Sequence, residues 1–116
     1  MTATTMTATT VAQSIQRVRD AARALGEARA AESALEDERA IVKRDAIARL
    51  IAAGRASSVT AAERIVEEDE QYAGHRARQR AAVLASCEAW GTWEASKLEG
   101  QLAVALAVDG AIPTVG

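Results

Sequence analysis

The chain has 116 residues, a formal net charge of −2, a single cysteine and no phenylalanine. That size is one domain. A balance this close to neutral excludes a protein that holds nucleic acid by bulk charge, which needs a basic surface to displace phosphate counterions. Lone Cys87 excludes an intrachain disulfide framework and a multi-cysteine zinc site. About a quarter of the residues are Ala, with only one Tyr and two Trp, so the 49% apolar content overstates the core. Alanine is the strongest helix former, but its single methyl removes little area from water. Thin alanine stripes suit helices packed closely along their length.

Residues 1–10 read MTATT MTATT, a duplicated polar pentapeptide. Its low complexity predicts a disordered tail, and Met6 is as good a start as Met1. No basic segment followed by an apolar one marks a signal peptide. The longest apolar run, Leu102 to Val108, is far short of the roughly 20 residues that span a bilayer. Together with the lone cysteine, this predicts a cytoplasmic protein.

From Val11 the periodicity is helical. Val11, Ile15, Val18, Ala22 and Leu25 recur in steps of four and three. The stripe drifts through Ala28, Ala31 and Leu35 to Val42, Ala46 and Leu50, as spacing off a strict seven-residue repeat requires. Gly54 is a helix stop suited to the left-handed position after a C-terminus. Thr60-Ala61-Ala62-Glu63 reads as a capping box that starts a second helix. The expectation is therefore all-α: a long antiparallel two-helix hairpin, coiled-coil-like, that pairs with another into a helical bundle. Its parts are helix 11–53, turn 54–60 and helix 61–108, with a tail over 109–116 where Asp109-Gly110 and Pro113 end the helix. Gly74, Gly91 and Gly100 mark possible kinks or close contacts in the second helix.

Charge and size suggest the register. If facing residues sum to about 114, Glu36-Asp37-Glu38 lies opposite Arg76 and Arg78. Lys43 and Arg44 then lie opposite Glu70, and Trp90 and Trp93 meet Ala21, Ala22 and Ala24. Each exposed ion pair contributes only a few tenths of a kcal/mol, so the agreement speaks to register rather than stability.

No constellation reads as catalytic. Glu67-Glu68-Asp69-Glu70 before His75 lacks the Glu-x-x-His spacing of di-metal bundles, because position 72 is Tyr72. His75 and Cys87 stand about 18 Å apart along one helix, too far for a nucleophile and its base; they read as a surface histidine and a buried cysteine. There is no phosphate loop or nucleophile elbow. The chain is expected to be no enzyme and to need no cofactor and no metal.

Two surfaces remain as binding candidates. Trp90 and Trp93 share a helical face, with Leu98 and Leu102 nearby, and one partner helix has little interior to cover them all. Tryptophan is enriched in interface hot spots, so these four residues are the candidate protein interface, toward a second copy or another protein. Tyr72, Arg76, Arg78 and Arg80 are a candidate weak nucleic-acid patch, not favoured because alternate residues scatter around a helix. Residues 47–66, helix then glycine turn then Thr-started helix, resemble the beginning of the DNA-binding segment of KfrA-like plasmid proteins, but no second turn and recognition helix follow.

Leu35-Glu-Asp-Glu-Arg-Ala40, Gly54, Val59-Thr-Ala-Ala-Glu63, Asp69-Glu-Gln-Tyr72 and Trp93-Glu-Ala-Ser-Lys-Leu98 form an ordered series. The series resembles a group of small phage and prophage helical-hairpin proteins and covers roughly residues 30–106; this chain is richer in Ala and Arg. That resemblance implies an uncharacterised accessory protein encoded near phage recombination genes, acting in the bacterial host cell. It carries over no catalytic residue. The functional expectation is an adaptor in DNA recombination or replication that works by protein–protein contact. An inhibitor of a host anti-phage defence system and a DNA-binding regulator are the alternatives.

Overall fold

A computed structural model describes residues 3–111, with side chains described over 9–109. Helix α1 runs Ala3–Ala52, α2 runs Val59–Arg64 and α3 runs Glu70–Ala111, with a 3-10 turn at Val66–Glu68. The fold is all-α: α1 and α3 pack against each other as the arms of an antiparallel hairpin. Most of the duplicated N-terminal segment is thus helical, not the disordered tail its composition predicts. Once a helix exists, each added residue gains a hydrogen bond for one residue fixed, so α1 extends back through threonines of modest propensity. At the other end α3 continues past Asp109-Gly110. Pro113 and the rest of the expected tail lie outside the described residues.

The connection differs most from expectation. Gly54 does close α1, with φ of +72°, the left-handed conformation that only glycine adopts freely. Its amide bonds Ile51 O at 3.0 Å and the Arg55 amide bonds Leu50 O at 2.9 Å, which is a Schellman ending. The next cap is Ser58, not Thr60: Ser58 is extended and its Oγ accepts from the Ala61 amide at 3.1 Å. Either hydroxyl suits the role, and Ser58 serves because its backbone is the extended one.

The second helix is not continuous from residue 61. The chain leaves α2 at Ile65, turns through Val66–Glu68 and restarts at Asp69. Asp69 is itself an N-cap: its backbone is extended and Oδ2 accepts from the Tyr72 amide at 2.9 Å. A carboxylate at a helix N-terminus also meets the positive end of the helix dipole. The acidic run therefore ends one helical segment and begins another.

Two compact units divide the chain: Ala28–Ala85, and Met1–Glu27 together with Ser86–Gly116. In the unit Ala28–Ala85, Val66 from the connection packs with Ala46 of α1 and Tyr72 of α3, flanked by Val42 and Ile47. Arg49 reaches Asp69 with two bonds, Nε at 3.0 Å and Nη2 at 2.8 Å. The Arg49 guanidinium holds the Asp69 carboxyl at about 2, below its ordinary 3.8, against the opposing effect of burial and with help from the Tyr72 amide. Arg55 pairs with Glu68 across the same connection.

Higher on the hairpin in this unit, Arg76 Nη1 donates to Gln79 Oε1 at 2.8 Å, and Gln79 Nε2 donates to Glu36 at 3.0 Å. The expected approach of arginine to acid is made through this amide. Glu36 faces Gln79, whereas Arg44 pairs with its neighbour Asp45. Facing residues sum to 115 at Glu36–Gln79, in keeping with the expected value of about 114, and to 118 at Arg49–Asp69 beside the connection. The connection, carrying its own short helix, is longer than a tight turn, and this shifts the register there.

Candidate protein-contact surface

The unit formed by Met1–Glu27 and Ser86–Gly116 carries the four residues proposed as an interface. Its inward seam is made mostly of small side chains. On α1, Ser14, Ala21 and Leu25 are buried and Val18 is half-buried. On α3, Ser86, Ala89, Trp93, Ser96, Gly100, Ala103 and Ala107 are half-buried and follow one another in steps of three and four. This is a strict seven-residue repeat in which the spacing, rather than the size of the side chain, chooses the buried positions. A methyl placed on Gly100 would sit 3.5 Å from Val18 Cγ2, so the two backbones lie close at that point.

Because small residues fill the seam, several large apolar residues fall outside it. The stripe read from α1 passed through Ile15 and Ala22; both are exposed, and the seam takes Ser14 and Ala21 instead. On α3, Trp90, Leu98, Leu102, Val104, Leu106 and Val108 are each between 47% and 65% exposed. The heptad positions of Leu98, Leu102, Val104, Leu106 and Val108 all differ, so this stretch is apolar on every side. Such a helix is characteristic of an interior, not of a surface.

The two tryptophans are separated by this geometry. Trp93 lies in the seam, half-buried, with Lys97 Nζ 3.6 Å from its ring centroid. Lys97 also pairs with Glu94 at 2.7 Å. Trp90 stands outside the seam. Along one flank a groove of about 630 Å³ opens between the helices, lined by Ile15, Val18, Gly100, Val104 and Ala105 together with Arg19, Lys97 and Gln101. Ile15 and Val104 were absent from the candidate interface. Their signal in the sequence is that they are large apolar residues out of phase with the small-residue repeat.

The nucleic-acid candidates are dispersed. Tyr72 is buried and Arg76 is half-buried and bonded to Gln79. Arg76 and Arg80 line a small recess with Glu67, while Arg78 lies beside Gly74. His75 and Cys87 exchange the environments expected of them. His75 is 0% exposed with neither ring nitrogen bonded, and Cys87 is exposed. In the unit Ala28–Ala85, Tyr72, His75, Gln79 and Ala82 form the covered side of α3 in steps of three and four, so residue 75 is inside; residue 87, in the other unit, is off the seam there. Among the described residues no group of three or more His, Cys, Asp or Glu is placed to hold a metal ion, and no helix is long and apolar enough to cross a membrane. No family model, curated protein or solved structure matches this chain.

Proposed function

We propose that this protein is a non-enzymatic protein-contact module whose working surface is the uncovered apolar side of α3 in the Met1–Glu27/Ser86–Gly116 unit. One observation carries the reading: from Leu98 to Val108 the helix exposes large aliphatic side chains on every side not occupied by its small-residue seam. Contiguous apolar patches of more than a few hundred Å² are rare on monomers and mark interaction sites. Trp90 supplies the aromatic anchor such interfaces favour.

The resemblance to phage and prophage hairpin proteins supplies the setting: an accessory adaptor in DNA recombination or replication in the bacterial cytoplasm. Binding of an apolar-surface dye tests the contact reading. The chain should bind the dye or be self-associated, and Trp90→Asp with Leu98→Asp should remove whichever is seen while helicity stays. A monodisperse monomer that binds no such dye overturns the reading.

A further inference from the structure

We infer that the occupant of this surface is a second copy of the chain, docked by antiparallel pairing of α3 with α3. The inference rests on the contact reading above and adds which flank is used and what covers it.

Outside its seam, α3 carries a second heptad stripe on the flank where the groove opens. Its members within the described part of this unit are Cys87, Trp90, Glu94, Lys97, Gln101, Val104 and Val108, again in steps of three and four. Read backwards, the stripe complements itself. In an antiparallel pair with its two-fold axis between residues 94 and 97, Glu94 of each copy faces Lys97 of the other. Trp90 then faces Gln101, and Cys87 faces Val104. Acid meets base twice at the centre; outside it the Trp90 ring lies on the stem of Gln101, and Cys87 meets the apolar Val104. An isologous contact requires this property, since one patch must serve both sides. A parallel pairing would set acid against acid and base against base.

The area is of the right order. Ile15, Trp90, Leu98, Val104 and Val108 are each about half exposed or more. At roughly 100 Å² for each such side chain they offer about 500 Å² of apolar surface. A standard interface uses about 800 Å² from each partner in all, polar rim included. Burying Glu94 and Lys97 together costs little in new desolvation, since they already form an ion pair and are each about two-thirds covered.

Sedimentation of the full chain over a range of concentrations, with three variants, tests this pairing. The wild type should dimerise. Glu94→Lys alone and Lys97→Glu alone should each weaken the dimer by about tenfold or more, because like charges then face across the axis. An equimolar mixture of these two variants should regain it as a heterodimer, since one copy then carries only bases and the other only acids. A local loss of the Glu94–Lys97 pair within one chain would not be repaired by mixing, which separates the proposal from a folding effect. Ala95→Gln, at an exposed position on the opposite flank, should leave the dimer intact. A wild-type monomer that binds apolar dye overturns the second copy as occupant and leaves the contact reading standing. A dimer insensitive to both charge variants, or variants that fail to complement each other, overturns this geometry.

Discussion

The two units of the chain use the same helices and differ in what they leave uncovered. The unit Ala28–Ala85 has a third layer, because the connection folds Val66 against Ala46 and Tyr72 and ties α1 to the start of α3 through Arg49 and Asp69. Among its described residues, the unit formed by Met1–Glu27 and Ser86–Gly116 has two helices and a seam mostly of alanine, serine and glycine, with Val18, Leu25 and Trp93 in it and most of its large aliphatics outside. Two helices have room for one line of contact between them. In the unit Ala28–Ala85 the connection gives Val66 and Tyr72 an interior, although Ile41, Ile51, Val59, Val83 and Leu84 stay exposed. In the other unit the exposed large apolar side chains gather on α3 between Trp90 and Val108, with Ile15 on α1.

The largest expected effect tests the first half of this contrast. Tyr72→Ala should cost about 3 kcal/mol in chemical denaturation, because it empties a site only 5% exposed at the centre of the three-part cluster. Equal losses from Tyr72→Ala and Leu98→Ala would break the distinction between the two units. Gly54→Ala should cost about 1–2 kcal/mol, since a side chain at φ of +72° is strained even though space is free around it.

Asp69→Ala should cost about 1 kcal/mol from the lost cap alone, and Asp69→Asn less, as asparagine still caps. The charge adds a pH signature. Its carboxyl is depressed in the folded chain, from 3.8 to about 2. The stabilisation it provides is therefore complete above about pH 4 and is lost as pH falls through 2. Asp69→Asn should flatten that part of the acid-denaturation curve relative to the wild type, and parallel curves would show that the Arg49 contact is not held in solution.

His75→Leu should move stability the other way, by about 1 kcal/mol upward. The imidazole is fully buried with neither nitrogen bonded, and an apolar side chain of similar size removes an unsatisfied donor. A loss of stability on this substitution would place a bonding partner beside the ring.

Helix, glycine stop and return helix were legible in the sequence because apolar periodicity and Gly54 act locally. The break at residues 65–69 was not, because an acidic run reads equally as a solvated helix face. Only the tertiary approach of Arg49 makes Asp69 a cap. The same holds for the seam. The apolar spacing read on α1 pointed to Ile15 and Ala22, and the seam took Ser14 and Ala21. Small residues win a seam when two backbones approach closely, and a sequence weighed by hydrophobicity alone undervalues them. That two helices would not cover both tryptophans was legible, because one pair of helices has one seam; that Trp90 is the uncovered one follows only from the repeat.

The smallest expected effect is the sharpest test of the second half of the contrast. Leu98→Gln should change the stability of the monomer, measured at concentrations too low for association, by less than about 0.5 kcal/mol. Leu98 is 65% exposed, whereas Leu25 in the same unit is 6% exposed. Leu25→Ala should cost about 2 kcal/mol, so the pair controls for residue type and for unit. A loss on Leu98→Gln approaching that of Leu25→Ala would mean that the chain buries Leu98 itself. The unit would then be complete without a partner, and the apolar end of α3 would need no second copy to cover it.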